Sequence, residues 1–459
     1  MTSRGLEFSG PYPRKLVLLL FFLLPLCLTE PLQVQGAGIV DIYLDAQRND
    51  PSVVNANYLT LVAKEDRKQA VSLLYPSLDA FAQYKQTGQN IVSSDNTVYG
   101  TGSTSFGSTS YGLTLTQPLF HWDSIVGLKQ SKIALQQAEI EYILAQNDLI
   151  VRVADLYFQA LSAQNQLDYV NAELLAVEKH FELAKGRQEM GLIPITDLHD
   201  AKARRATTRA EVISARNQLD DALQALEEVT GTAVHNLDTL RPTIPFQSPE
   251  PADLDSWINQ ALEQNPSIAL RQQAVEMAIE EVKRQKSGHY PTLDLVGRYS
   301  DDETDGSLFG GGSEVETTEI SLQFNLPLYR GGAVSSKVRK AKQQEKIARQ
   351  NLVKEQRGVA RQVRAAYLGV KSALSRVDAL QESIVSNQLA LDAKQEGFLS
   401  GLYTSLTVLD AERDLSLVRI DYARARYDYV LNSLKLKLAV GTLNSQDLLD
   451  LDRWFVKSK

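Results

Sequence analysis

The sequence has 459 residues but a single cysteine and only five histidines. One thiol excludes an intrachain disulfide and any cysteine-based metal centre. The histidines, His121, His180, His199, His235 and His289, are scattered and leave little for acid–base or metal chemistry. Positive charge is also short. Lys and Arg number 48 against 56 Asp and Glu, and a net charge of −8 disfavours a broad nucleic-acid-binding face. No run of about 18 apolar residues occurs, so no spanning helix is expected. If the chain crosses a membrane, a closed β-barrel is the route left. No catalytic constellation, cofactor site or metal site is expected. The 43% hydrophobic content is nevertheless that of a folded chain.

Arg4, Arg14 and Lys15 precede a short apolar run, Leu16 to Leu28, with small residues at Gly36 and Ala37. This pattern predicts a cleaved secretory signal over residues 1–36. Cys27 lies inside it. Lipid attachment at Cys27 is the alternative, and the bulky Leu26 before it fits that poorly.

The remainder is two copies of one plan, 37–245 and 246–459. Asn49-Asp50-Pro51-Ser52 recurs as Gln264-Asn265-Pro266-Ser267, and Tyr75-Pro76-Ser77-Leu78-Asp79 as Tyr290-Pro291-Thr292-Leu293-Asp294. Pro118-Leu119-Phe120 recurs as Pro327-Leu328-Tyr329, Gly191-Leu192 as Gly401-Leu402, and Gly231-Thr232 as Gly441-Thr442. The order is kept at an offset of about 210 residues, far longer than a solenoid period.

Each copy opens with a helix carrying a polar cap and proline at its first position. Tyr-Pro ends it. Two alternating strands follow, near Ser77–Ile91 and Thr109–Leu119, then near Thr292–Tyr299 and Thr318–Leu328. A very long helix comes next, Asp123 to Met190 in the first copy. Its seam, Leu167, Val170, Leu174, Val177, Phe181 and Ala184, has coiled-coil spacing. The second seam, Val363, Tyr367, Val370, Leu374, Val377 and Ile384, is interrupted by Gln381. A glycine turn then reverses each chain into a return helix ending at Gly231 or Gly441.

Four strands cannot close a barrel with a usable interior. Either several chains share one barrel, or the chain is a periplasmic coiled-coil rod. The aromatic residues at the strand ends, Phe120, Trp122 and Tyr329, favour the barrel.

Four stretches resemble the TolC-like outer-membrane efflux family: Gly191-Leu192-Ile193-Pro194-Ile195-Thr196-Asp197, Gly288-His289-Tyr290-Pro291-Thr292-Leu293-Asp294-Leu295, Leu326-Pro327-Leu328-Tyr329-Arg330-Gly331-Gly332, and Gly441-Thr442-Leu443-Asn444-Ser445-Gln446-Asp447-Leu448-Leu449. The resemblance implies an α+β membrane protein. A long coiled-coil α-helical barrel would be joined to a transmembrane β-barrel shared by three chains, with two internal repeats per chain. The C-terminal segment would sit in an equatorial belt. It implies a homotrimer in the outer membrane of a Gram-negative cell, extending into the periplasm. That trimer would be a passive exit duct for drugs, toxic small molecules or secreted proteins. Its partners would be a periplasmic adaptor and an inner-membrane efflux or ABC transporter, as in tripartite pumps and type I secretion.

It also implies a periplasmic gate. In the family an Asp of the first turn is bonded to a Tyr and an Arg of the second. Asp197 keeps the first role, while Phe398 and Tyr403 occupy the other two positions. Phe398 cannot donate a hydrogen bond, and Tyr403 offers a neutral bond in place of a charged one. Such a gate should close less tightly. The family's two entrance Asp rings fall on Thr407 and Asp410, so one ring is lost, with Asp200 as the repeat counterpart of Asp410. The tips Gly191, Leu192, Gly401 and Leu402 would face the adaptor.

Other stretches are weaker. Asp301–Gly306 has a superficial calcium-loop pattern, but Gly312 stands where the closing Glu is needed, so a solvated external loop is expected. Gly310–Gly312 lacks the context of a phosphate loop. His199 beside Asp197 and Asp200 reads as a solvent-facing tip histidine. Arg330–Lys346 reads as a solvated or intersubunit face.

Overall fold

The computed structural model describes residues 38–93, 95, 101–306 and 311–457. The expected signal, with Cys27, lies outside the described residues. Two helices come first, α1 (Ile39–Asn49) and α2 (Pro51–Ser72). Strands β1 (Ser77–Ile91) and β2 (Gly102–Phe120) lead into α3 (Trp122–Glu189) and α4 (Ile195–Thr230). After the short strand β3 (Thr239–Leu240) the order recurs: α5 (Leu254–Gln264), α6 (Pro266–Lys286), β4 (Thr292–Thr304), β5 (Ser313–Asn325), α7 (Ala333–Leu399) and α8 (Ser405–Val440). Helix α9 (Ser445–Asp452) and strand β6 (Phe455–Val456) close the described chain.

The polar caps form as the sequence indicates. Asp50 Oδ1 accepts from the Ser52 and Val53 amides at 3.0 and 3.1 Å, ahead of Pro51. Asn265 accepts from the Ser267 amide at 2.8 Å, ahead of Pro266. The residues around these caps also hold the return helices. Asn49 Nδ2 donates to the Thr230 carbonyl at the end of α4 (2.6 Å), and Asn265 Nδ2 to the Ala439 carbonyl near the end of α8 (2.7 Å). Gly441 allows the second of these approaches. Its φ is +89°, and a Cβ there would lie 2.8 Å from the Asn265 Cα.

The start of α2 therefore meets the end of α4, and both lie along α3. Thr60 of α2 donates to the Ala138 carbonyl of α3 at 3.3 Å. Arg209 of α4 pairs with Glu178 of α3 at 2.8 Å. At 1.5 Å per residue the 68 residues of α3 extend roughly 100 Å. Along its seam Val170, Val177 and Ala184 are buried, one residue per heptad. In α7 the buried heptad series is Val363, Val370 and Val377, and Leu391 continues it beyond half-buried Ile384. Gln381, at the heptad position of buried Tyr367 and half-buried Leu374, is exposed, so that row of the seam is interrupted while the Val363 row continues. No helix among the described residues is long and apolar enough to cross a membrane.

The four long strands form one antiparallel sheet in the order β1-β2-β4-β5. They extend beyond the alternating runs that the sequence marks. Strand β2 begins at Gly102, β4 continues to Thr304, and β5 starts at Ser313 and stops at Asn325. Cross-strand hydrogen bonding holds these polar ends where side-chain alternation gives no signal. Asp301–Thr304 is consequently strand, and only Asp305 and Gly306 of the expected loop leave the ladder. One face carries Leu78, Leu115, Leu295, Ile320, Leu322 and Phe324; the other carries Asp79, Thr114, Arg298, Ser321 and Gln323. At the helix-bearing end, His121 Nε2 lies 3.0 Å from Asp294 and ties the end of β2 to the start of β4.

The main core sits where the helix ends of both halves converge. Tyr157, Leu149, Leu226, Val359, Val430, Val440 and Leu448 are among its most buried members. Several elements were not foreseen: α1 and α5 precede the capped helices, α9 follows α8, and β3 pairs with β6, so the C-terminal segment docks on the end of the first half. Tyr157 donates to the Asp238 carbonyl at 2.8 Å beneath this pair, with its ring edge-on to Phe455.

Asp50 is the most loaded of the cap residues. It is 2% exposed, and its Oδ2 takes the Arg152 guanidinium at 2.9 Å. Burial alone would raise its pKa. The bonds from Ser52 and Val53 and the Arg152 charge outweigh that and hold it below the ordinary 3.8. A lowered folded pKa stabilises fully above the unfolded value and is lost as pH falls through the folded one. Asp50→Ala should cost about 1 kcal/mol for the cap, plus roughly 1–3 for the partner left behind. Asp50→Asn, which still caps, should cost less. Thermal unfolding in detergent measures both, and acidification below 3.8 should narrow the gap between wild type and Asp50→Asn.

Candidate functional site

The two helical turns are built alike. Two residues beyond the end of α3 stands Gly191 (φ +71°), and two beyond the end of α7 stands Gly401 (φ +75°), a left-handed position that glycine accepts freely. Leu192 N–H returns to the Arg187 carbonyl (2.9 Å) and Leu402 N–H to the Gly397 carbonyl (2.7 Å). Both are Schellman closures, which use up helix-end carbonyls and project the next side chain outward. Leu192 is 68% exposed and Leu402 78%. Each tip therefore presents one glycine and one unburied leucine.

The gate residues fall on these turns. Asp197 is exposed in the first turn of α4, where a negative charge suits the helix N-terminus. The Thr196 hydroxyl reaches it at 3.4 Å. Phe398 is half-buried in the last turn of α7. Tyr403 folds back over its own turn. Its ring is so close to Gly397 that a Cβ there would fall 2.3 Å from the ring Cδ2. No hydrogen bond joins Asp197 to Tyr403 among the described residues, so within one chain the two turns carry their polar groups separately.

The entrance positions are engaged differently. Thr404 is the N-cap of α8. It accepts from the Thr407 amide at 3.3 Å and shares a hydrogen bond with the Thr407 hydroxyl at 3.0 Å. Thr407 thus belongs to a helix cap. Asp410 is paired with Arg204 of α4 at 3.3 Å, and Arg204 also reaches Glu173 of α3 at 3.5 Å. Tyr169 donates to the other oxygen of Glu173 at 2.8 Å. One guanidinium therefore ties three helices together. Asp200 lies one turn away on α4 and is exposed.

Arg204, Glu173 and Tyr169 were missed by sequence reasoning. A usable signal existed: Asp200 is the repeat counterpart of Asp410, so Arg204, one turn further along α4, lies close to the level of Asp410. His180 of α3 belongs to the same neighbourhood. Burial, and then the Arg204 and Arg187 charges, hold its pKa below 6.5 and favour the neutral ring. Nearby, a groove of about 650 Å³ between α3, α4 and α8 is lined by Gln166, Tyr169, Glu173, Arg413 and Arg424. Among the described residues no group of three or more His, Cys, Asp or Glu is arranged to hold a metal ion.

Comparison with known proteins gives concordant matches. The family model described as outer membrane efflux protein matches twice, over residues 42–232 and 257–442. The outer membrane protein TolC of Vibrio cholerae is 32% identical over 421 residues, covering 91% of this chain and 94% of that protein. The proteases secretion protein PrtF of Dickeya chrysanthemi is 27% identical, covering 92% of each chain. In fold, the chain is similar to the CmeC outer membrane channel of Campylobacter jejuni (TM-score 0.75, 16% identity, 90% of this chain and 89% of that one).

The Gly397–Tyr403 contact generates a test of the second turn. Gly397→Ala should expel the Tyr403 ring, at an overpacking cost of about 1–3 kcal/mol. Limited proteolysis should then cut the α7–α8 turn faster, and adding Tyr403→Ala should bring the rate back down. Wild-type cleavage in Gly397→Ala would mean that the ring does not rest there.

Proposed function

The chain belongs to the outer membrane efflux protein family, and from that premise we propose that three copies form one exit duct. An open four-stranded sheet with one apolar face carries this reading. Three such sheets joined edge to edge supply twelve strands. That exceeds the eight or so at which an interior first opens. The apolar face would meet lipid and the polar face the lumen. The helical hairpins, with apolar residues such as Leu175, Leu183, Leu368 and Leu389 still exposed in one chain, would pack side by side into a periplasmic tunnel.

Two repeats, 37–245 and 246–459, fit the double family match and the paired caps at Asp50 and Asn265. The β3–β6 pairing adds that the C-terminal belt segment leans on the first repeat. Residues 1–36 act as the export signal. The duct is passive and works with a periplasmic adaptor and an inner-membrane efflux or ABC transporter. The exposed Leu192 and Leu402, beside Gly191 and Gly401, face the adaptor. Cargo is drugs, toxic small molecules or secreted proteins, the last in keeping with the similarity to a proteases secretion protein.

The gate consists of Asp197, Phe398 and Tyr403, with Asp197 approaching Tyr403 only when neighbouring turns draw together. It lacks a cationic partner for Asp197 and closes weakly, because Tyr403 can give the carboxylate a single hydrogen bond from a neutral donor, without the opposite charge and second N–H bond that a guanidinium adds. At the entrance, the Arg204 pairing mutes the Asp410 ring.

Single-channel recording in planar bilayers tests this reading: discrete conductance steps are expected, and their absence would sink it. Divalent-cation block from the helical side should be weak in wild type, because Arg204 offsets each Asp410. Arg204→Ala should strengthen it several-fold by freeing a ring of carboxylates, and Arg204→Ala/Asp410→Ala should remove the gain. Unchanged block in Arg204→Ala would place Asp410 away from the ion path.

A further inference from the structure

We propose that the lipid-facing side of β4 and β5, at the end away from the helices, binds phosphorylated headgroups of the outer leaflet through divalent cations. The proposal rests on the outer-membrane duct reading above.

The four strands join the helices at one end, through Ser77, Phe120, Thr292 and Asn325. The opposite end is therefore the one remote from the helical body. On the apolar face the register gives successive rows. Leu293 stands beside Phe324, Leu295 beside Leu322, Gly297 beside Leu115 and Ile320, and Tyr299 beside Leu113. These rows climb roughly 20–25 Å along the strands, close to the ~25 Å lipid band of such barrels. Tyr299 closes the band and Tyr111, opposite Asp301, stands in the row just beyond it, where aromatic residues mark an interface.

The next two rows on that face are acidic. Asp301 stands directly opposite Glu316, and Glu303 directly opposite Glu314. Like charges in facing positions destabilise a strand pair unless something compensates. No Lys or Arg compensates from this face of the described strands, because Lys85 and Arg298 point to the other side by alternation. On that other side the register is ordinary, with Arg298 opposite Glu319.

Asp301 adds an independent sign of a missing partner. It is 5% exposed. Its Oδ2 accepts from the Tyr111 hydroxyl, while its buried Oδ1 has no hydrogen-bond partner. A buried carboxylate oxygen left bare is costly, and this one belongs to the acidic rows.

The chemistry selects the occupant. The protein's own side chains do not assemble a complete metal cage here. Mg²⁺ commonly takes only one or two carboxylates and completes its shell with phosphate oxygens and water. Facing carboxylates just above an apolar band, at headgroup depth, meet phosphates of the surrounding lipid. A divalent cation between the two neutralises both.

The full-length protein in nanodiscs tests this, with Mg²⁺ as the varied component. One set contains phosphatidylcholine with bis-phosphorylated lipid A, and the other phosphatidylcholine alone. In the lipid A discs Mg²⁺ should raise the thermal midpoint of wild type. Glu303→Gln/Glu316→Gln, at two exposed positions, should need about tenfold more Mg²⁺ for half that rise, a difference of about 1.4 kcal/mol. Asp301→Asn should shift in the same direction, and Glu319→Gln on the inner face should behave as wild type. An equal response in wild type and Glu303→Gln/Glu316→Gln would overturn the proposal. So would an equal rise in phosphatidylcholine discs with Mg²⁺ alone, or with Mg²⁺ and inorganic phosphate. Conductance of the same preparations separates the two ideas. Protein that conducts without the lipid-dependent Mg²⁺ effect sinks this proposal alone, whereas protein that does not conduct sinks the duct.

Discussion

Strands β1 and β5 are the outer strands of the sheet, and each has a row of backbone N–H and C=O groups with no strand beyond it. In hydrocarbon such groups have no water to bond, and each one left unpaired costs several kcal/mol. The apolar face of the same strands, with Ile320 79% exposed and Phe324 63% exposed, suits only an apolar surrounding. These two properties conflict in a single chain. In the proposed assembly they are reconciled, because β5 of one copy pairs with β1 of the next until the ring closes. Much else in the protein follows from that closure.

In that proposed assembly the helices inherit the ring. Strand ends and helix ends meet at fixed junctions, such as the His121–Asp294 contact between β2 and β4. Helices descending from a closed ring of strands must stand in a ring themselves. Each chain prepares for this by pairing shorter helices with long ones: Asn49, at the end of α1 just before α2, bonds Thr230 at the end of α4, and α2 and α4 together lie along α3. The core where these ends converge is the larger of the two buried apolar clusters among the described residues, and the C-terminal segment reinforces it through β3 and β6. The distal turns are held more lightly, by glycine closures and by a few bridging side chains, of which Arg204 is the most connected. Rigidity at the belt and looseness at the tips is what a duct that opens at one end requires.

Periodicity made most of the architecture legible. Seven-residue spacing exposed the helical seams, and the repeat of Asp50-Pro51 as Asn265-Pro266 located the two helix starts. Alternation found the strands but not their far ends, because Asp301 to Thr304 and Ser313 to Thr317 carry no apolar member on either face except Val315. The β3–β6 pair was invisible, since two residues are too few to show a pattern and the partners lie more than 200 residues apart, at the end of the first half and the end of the second. At the tips, motif likeness located Asp197, Tyr403, Thr407 and Asp410, but not what they touch. Thr407 serves a cap, and Asp410 meets a guanidinium from another helix. Such contacts depend on the rotation of one helix against its neighbour, which spacing along a single helix cannot fix.

The shared ring is the central claim, and native mass spectrometry of the detergent-purified protein tests it most directly. One dominant assembly of three chains is expected, with each chain lighter than the 50.9 kDa full sequence by the signal segment. A stable monomer, or an assembly of any other number, would contradict it.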